Sequence, residues 1–587
     1  MKNKQNFLLI FFSFCGVNSE VVGSKAPIVE TTNGWIVGKT FKTTNLKEFD
    51  GFLGIPFAKP PVGNLRLRDP EPYTETFTEH NPYFATEEKA HCMQKNYLLP
   101  NPSVTGVEDC LYLYVYRPKC KLSVRKCQRP LPVIVYIHGG AFFAGAAGPS
   151  LIGADYFMDT EDVIFVTMSY RLGPLGFLST GDDNMSGNFG LKDQTLAMKW
   201  VKENIENFGG DPNNISLMGQ SAGASSVHLH MMSNLSKNLF NKAIILSGNG
   251  NGPYAYVLKN PLKQAIDFAK AAGIKKAQGM SNNALSEELR KVDATKLLDA
   301  SDTFKIWSID PLVISKPVVE DCRAVEGFLC DNPVKMWKNG NYSRIPFITG
   351  IMNGDGGVRA LSYFSNATLI QDLNKNFKDL FPKLLEINDI ESERITTERL
   401  QMVADRYLSG RMELNKEDMK NLVHIYTDRS FLAPMANTLL QMVENESKGL
   451  GYLYKFSYKG SLSYAGFYAG DFSFKYDDPV HCDELIYLIK SPAIFGNHQE
   501  FETGSRDADF RKKLVKFFTN FASFGKPIKI NGKSLYRCTK NDEFNHGSKQ
   551  LRCNYVDFDD KISIKFDDPI DHNAVDFWNQ LDNTLMV

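Results

Sequence analysis

Uninterrupted apolar runs, each broken off by a glycine-rich turn, set the pattern of this chain. Pro132-Val133-Ile134-Val135-Tyr136-Ile137 has strand length and ends in His138-Gly139-Gly140-Ala141-Phe142. Ile345-Pro346-Phe347-Ile348-Thr349-Gly350 ends just before Gly354-Asp355-Gly356-Gly357. A third stretch, Ser216-Leu217-Met218, runs straight into Gly219-Gln220-Ser221-Ala222-Gly223, where small residues open a helix. Short apolar runs bounded by turn signals predict buried strands. Leu485-Ile486-Tyr487-Leu488-Ile489 predicts a helix, with Asp483 and Glu484 at its start as capping acids.

A strand, Gly-x-Ser-x-Gly and a helix in succession make the setting of a nucleophile elbow. Side chains at the two glycines would clash with neighbouring backbone in so sharp a turn, and the serine hydroxyl is lifted off the sheet edge. A bare Gly-x-Ser-x-Gly is weak; two further stretches strengthen it. The glycines after Ile137 leave the N–H groups of Gly139 and Gly140 free to face a developing oxyanion, and Ala222 supplies a third. Such hydrolases run serine, acid, histidine along the chain. Asp355 follows a strand downstream of Ser221, and His481 follows Asp355, in Val480-His481-Cys482-Asp483-Glu484. Asp483 and Glu484 are too close in sequence to His481 to be its obvious orienting acid.

These residues resemble the type-B carboxylesterase and cholinesterase family over nearly all of the chain beyond its first residues. Phe52-Leu53-Gly54-Ile55-Pro56-Phe57-Ala58, Pro60-Pro61-Val62-Gly63 and Leu65-Arg66-Leu67 resemble the family's opening signature. Glu108-Asp109-Cys110-Leu111-Tyr112-Leu113 resembles its second, with Tyr114 where Asn is usual. Ser169 to Gly173, Gly187 to Gln194, Phe208 to Pro212 and Phe177 to Asp182 add further matches, the last most like insect esterases. The resemblance implies an α/β hydrolase fold, a large and mostly parallel central sheet flanked by helices. It implies Ser221 as nucleophile, Asp355 as acid, His481 as base, and Gly139, Gly140 and Ala222 as oxyanion donors. It also implies ion pairs Arg66–Glu108 and Arg171–Asp193 and a disulfide Cys92–Cys110. Four departures stand out. Asp355 replaces the usual Glu, Gln220 the Glu of cholinesterases, Cys482 a glycine, and Asn249 a small hydroxyl residue.

Composition adds the setting. Lys+Arg and Asp+Glu both number 67, so the formal charge is zero and gives no hint of nucleic acid. Lys2, Lys4 and Phe7 to Phe14, with Val17-Asn18-Ser19 behind them, read as a signal peptide over residues 1–19, leaving 20–587 as one hydrolase domain. That apolar run is too short for a transmembrane helix, no later run is long enough either, and the C-terminal residues carry no retrieval or lipid-anchor signal. A secreted, extracellular protein without a membrane anchor is expected; its oligomeric state is left open. Of ten cysteines, Cys15 leaves with the signal peptide. Cys120 with Cys127, Cys322 with Cys330 and Cys538 with Cys553 are sensible short-range partners among many connectivities, and Cys482 is left over as a buried, inert thiol. Sequons at Asn184, Asn234, Asn341, Asn366 and Asn445 permit glycosylation; Asn214, just before the elbow strand, is a doubtful sixth. The basic stretch from Lys121 to Arg129 reads as a solvated loop.

The chemistry expected is a serine carboxylesterase acting on small neutral esters, with no metal and no cofactor. The segment from Cys92 to Cys110 contains no Trp to face a quaternary ammonium, and Gln220 brings no charge, so choline esters are disfavoured. Phe142, Phe143 and Tyr254 are candidate pocket walls or simple core. Juvenile hormone, through Gly-Gln-Ser-Ala-Gly, and pheromone esters are alternative substrates. A non-catalytic adhesion role is the alternative of another class; it fits poorly with a chain that keeps Ser221, Asp355 and His481.

Overall fold

Among the described residues, eleven strands make the main sheet: β1 (Lys39–Lys42), β2 (Glu48–Pro56), β3 (Tyr112–Pro118), β4 (Leu131–Ile137), β5 (Ile164–Met168), β6 (Gly210–Gln220), β7 (Lys242–Leu246), β8 (Phe347–Met352), β9 (Gly451–Phe456), β10 (Tyr555–Phe558) and β11 (Ser563–Lys565). Their spatial order is β11-β10-β9-β8-β7-β6-β4-β5-β3-β2-β1. From β5 across to β10 every neighbouring pair is parallel; the pairs at the two edges are antiparallel. The computed structural model describes residues 26–119, 129–323, 327–364, 366–388, 392–446, 449–540, 551–567 and 570–581. The signal-peptide segment, the Cys120 and Cys127 pairing, nearly all of the basic stretch and the C-terminal residues lie outside them.

The apolar runs become central strands because both faces are covered. In β4, Val133, Val135 and Ile137 point into one core layer, whereas Ile134 and Tyr136 point into the other. On the first side α1 (Phe189–Asn204) and α2 (Ala222–Met232) pack on the sheet; every residue of α2 is buried. On the second side lies α6 (Arg506–Phe524), through Phe510, Leu514, Phe518 and Phe521. Between β8 and β9 the chain forms α3 (Gly357–Phe364), α4 (Met419–Thr427), a π-turn (Asp428–Leu432) and α5 (Ala433–Asn445). No helix among the described residues is long and apolar enough to cross a membrane.

Two ion pairs brace the loops at the C-terminal end of the parallel strands. Arg171 grips Asp193 through Nε at 2.8 Å and Nη2 at 2.7 Å, and both residues are buried. Arg66 grips Glu108 in the same forked manner and also donates to the carbonyls of Arg290 and Val292. Disulfides join Cys92 to Cys110, Cys322 to Cys330 and Cys538 to Cys553.

Candidate active site

The end of β6 and the start of α2 enclose Ser221, held at φ 58° and ψ −125°, a conformation L residues rarely adopt. Both flanking glycines are required by close approach. A Cβ at Gly219 would stand 2.3 Å from the Gly223 carbonyl oxygen, and one at Gly223 would stand 2.1 Å from that of Ile137. The Ser221 N–H is fixed to the Leu246 carbonyl at 3.0 Å, tying the turn to β7. Ser221 remains partly exposed while its neighbours Gln220 and Ala222 are buried.

Asp355 follows β8, and His481 sits on the loop after β9. The two loops run side by side, with the Gly354 N–H donating to the Pro479 carbonyl. His481 Nδ1 lies 2.8 Å from Asp355 Oδ1. The other carboxylate oxygen, Oδ2, accepts from the Met352 N–H at 2.8 Å and the Ser247 hydroxyl at 3.1 Å. With Asp355 wholly buried, these three donors hold its carboxylate against desolvation. In the neutral imidazole, Nδ1 then carries the proton and Nε2 the lone pair. The Phe431 ring lies 5.0 Å from that of His481, and Tyr254 lies 5.7 Å beyond Phe431.

The Gly139–Gly140 segment leaves β4 in a turn that only glycine fits at Gly140, where φ is 113° and a Cβ would meet the Ala144 carbonyl oxygen at 2.0 Å. The turn is clamped from outside. The Gln94 amide donates to the Gly145 carbonyl and accepts from its N–H, both at 2.8 Å, and the Tyr170 hydroxyl donates to the His138 carbonyl. Among the described residues, the N–H groups of Gly139, Gly140 and Ala222 have no protein acceptor. Ala222 is the first residue of α2, so its N–H has no intrahelical partner either.

Several expectations change. Asp483 and Glu484 do not cap a helix, and the segment forms only a short 3₁₀ turn, Asp483–Tyr487. Asp483 points back and accepts from the N–H groups of Val480 and Tyr464 and from the Ser463 hydroxyl, so it ties down the His481 loop. Burial pushes its carboxyl up to about 7 against these donors. Glu484 is buried with neither oxygen paired among the described residues; burial, and then the charge of Asp355, push its carboxyl well above the usual carboxylate range. Cys482 stands at φ 73°, which accounts for the glycine usual there. The residue is half-buried rather than buried, yet desolvation raises its thiol, and the Tyr468 hydroxyl reaches it at 3.2 Å. Phe142 is core, edge-on to Phe177, and Phe143 packs on Tyr97. Asn249 is buried and bonds Thr438.

Sequence reasoning missed Gln94, Tyr170 and Phe431 as supports, because each acts through a partner far along the chain; it missed Asp483 because its bonds to Ser463 and Tyr464 come from a separate segment. No group of three or more His, Cys, Asp or Glu among the described residues is placed to hold a metal.

Comparison with known proteins follows the same lines. The family model described as "Carboxylesterase family" matches residues 25–578. A juvenile hormone esterase of Tribolium castaneum is 39% identical over 536 residues, covering 89% of this chain and 88% of that protein. Esterase E4 of Myzus persicae is 32% identical over 544 residues, covering 92% and 94%. The crystal structure of juvenile hormone esterase from Manduca sexta, with OTFP covalently attached, superposes with a TM-score of 0.78 at 24% identity, over 95% of this chain and 99% of that one, a likeness of fold.

Proposed function

Since the chain belongs to the carboxylesterase family, and is thereby a carboxylic ester hydrolase, we propose that it is a secreted serine esterase for neutral, apolar esters, working through Ser221, His481 and Asp355. The observation that carries the reading is the 2.8 Å contact between Asp355 and His481, whose Nε2 lies 3.3 Å from the amide of Gln220, the residue before Ser221.

His481 Nε2 takes the Ser221 proton as the oxygen attacks the ester carbonyl. Asp355 keeps the imidazole in the tautomer this needs and stabilises the imidazolium. The negative oxygen of the tetrahedral intermediate rests on the N–H groups of Gly139, Gly140 and Ala222; each such donor is worth ~10²–10³ in rate. His481 returns the proton to the leaving alcohol, and water then releases the acid from Ser221.

The preference for neutral esters rests on the segment from Cys92 to Cys110 and on the neutral Gln220. Tyr97 is the one aromatic between Cys92 and Cys110, and Lys305 Nζ already stands 4.0 Å from its ring centre. The Tyr97 ring is buried and already paired with a cation, which leaves it little to offer a quaternary ammonium. Within this class, juvenile hormone is the substrate reading favoured by the Tribolium relative and by Gly-Gln-Ser-Ala-Gly.

Secretion fits the apolar segment from Phe7 to Phe14 and the disulfides. Residues 20–587 then form one catalytic domain. Glycans are proposed at Asn184, Asn234, Asn341, Asn366 and Asn445, all exposed. The test is a panel of nitrophenyl esters, juvenile hormone, acetate pheromones and acetylthiocholine. Hydrolysis of the neutral esters with little of the choline ester is expected; inactivity on all of them, in folded protein, overturns the reading.

A further inference from the structure

The residue before the elbow serine touches the base. Gln220 ends β6 and is 1% exposed. Its Nε2 lies 3.3 Å from Nε2 of His481, the ring nitrogen turned away from Asp355. Its Oε1 faces the other way, over the oxyanion turn, 2.9 Å from where a Cβ on Gly139 would stand. The direction of the amide follows from the histidine. Asp355 holds the proton on Nδ1, so Nε2 presents a lone pair, and only the NH₂ end of Gln220 can pair with it.

We propose that Gln220 is a positioning residue of the esterase reaction, donating a hydrogen bond to the neutral form of His481 at the nitrogen that receives the serine proton. This rests on the assignment of Ser221 and His481 above. Nε2 has one lone pair, so the Gln220 amide and the Ser221 hydroxyl compete for it, and substrate engagement must hand it from one to the other. The Ser221 proton then moves to Nε2 while the Oγ–carbon bond forms and the carbonyl electron pair moves onto oxygen. Nε2–H now meets an N–H donor across the contact. Turning the Gln220 amide over brings Oε1 to the same place as an acceptor, so one neutral side chain can serve both protonation states. A carboxylate can only accept and a thioether cannot donate.

The consequence is read in pH. Hydrogen bonding to the neutral form of a base disfavours its protonation, and a carboxylate at the same place favours it. The other groups facing His481 are unchanged by substitution at Gln220. They are Asp355 from the β8 loop, Cys482, Asp483 and Glu484 on its own segment, the Phe431 ring from the π-turn, and the Tyr468 hydroxyl at the His481 carbonyl. A limb set by Asp483 would therefore stay in place across a Gln220 series.

The experiment compares wild type with Gln220→Glu and Gln220→Met, measuring kcat/KM for nitrophenyl butyrate from pH 4.5 to 9. The acid limb is expected to move to higher pH by about one unit or more in Gln220→Glu, and by less in Gln220→Met. Gln220→Ala, which asks least of the packing, should follow Gln220→Met and serves if either of the others fails to fold. Profiles that superimpose after scaling, however low the plateau, overturn the proposal. Stoichiometric labelling of each variant by an organophosphate separates the two assignments. A label on Ser221 with an unmoved limb rejects only the role of Gln220, whereas a label elsewhere rejects the nucleophile.

Discussion

Asp355 and His481 are 126 residues apart in the chain and 2.8 Å apart in space. The parallel register of β8 and β9 delivers both loops to the same end of the sheet, and the Gly354–Pro479 backbone bond aligns them. Two other carboxylates, Asp483 and Glu484, are nearer to His481 in sequence. Asp483 is spent on backbone donors and Glu484 bonds neither the ring nor any other described group, whereas Asp355 meets the ring nitrogen directly.

Substitution separates these carboxylates. Asp355→Asn should lower kcat by about 10⁴-fold, because an amide favours the wrong tautomer and cannot stabilise the imidazolium. Asp355→Glu should keep part of the activity. Asp483→Asn should instead lower the melting temperature, since it places an NH₂ group against the donors of Val480 or Tyr464, while molecules that remain folded still turn over. A steady-state comparison with active-site titration checks this; a fatal Asp483→Asn beside a harmless Asp355→Asn would reverse the assignment.

Selectivity follows from the occupied face of Tyr97 and the neutral Gln220. The ratio of kcat/KM for a short aryl acetate over acetylthiocholine should exceed about 30-fold, the worth of a desolvated cation–π contact of about 2 kcal/mol. Lengthening the acyl chain by a few carbons should lower KM as buried apolar area grows, at ~25 cal/mol per Å². A ratio below one would show that another aromatic receives the cation.

Stability should fall on mild acidification. Burial lowers His138 to about 4 and His228 and His230 to about 3. Their folded values lie below the unfolded one, so the unfolded chain takes up protons first as pH drops below ~6.5. The stability they contribute is complete above that pH and is lost progressively down to their folded values, at about 1.4 kcal/mol per pH unit for each histidine. Urea unfolding between pH 7.5 and 4.5 measures the slope. His230→Asn, which removes one such group, should be less stable at pH 7.5 yet lose less on acidification; an unchanged slope would contradict this account.

The Arg171–Asp193 pair makes a sharper stability test. Asp193 is fully buried and bound by the Arg171 fork and by the Arg171 N–H. Arg171→Met leaves that carboxylate uncompensated, at a cost of about 3–5 kcal/mol. The double variant Arg171→Met/Asp193→Leu should recover much of the loss in thermal melting. Equal destabilisation in single and double variants would mean that packing, not charge, dominates.

The parts of this architecture written in local sequence are those with a local cause. The run from Pro132 to Ile137 and the observed strand Leu131–Ile137 nearly coincide, because burial on both faces selects an unbroken apolar run. Gly219 and Gly223 are legible because backbone approach on both sides excludes a side chain. The contact of Gln220 with His481, the π-turn that presents Phe431, and the bond of Asp483 to Tyr464 have no local signature. Each depends on where another loop comes to rest. The acids before Leu485 read as caps only because sequence cannot reveal that their segment is buried, where a carboxylate must find donors or take up a proton.

The central claim is that Ser221 is the nucleophile of an esterase, and the most direct measurement is the site of an organophosphate adduct. Protein treated with a diethyl phosphoryl ester, digested and mapped by mass spectrometry, should carry one adduct per chain, on Ser221, with loss of ester hydrolysis in proportion to labelling. Ser221→Ala should fold, take no label and show no turnover. An adduct on another residue, or near-full hydrolysis by Ser221→Ala, would contradict the account.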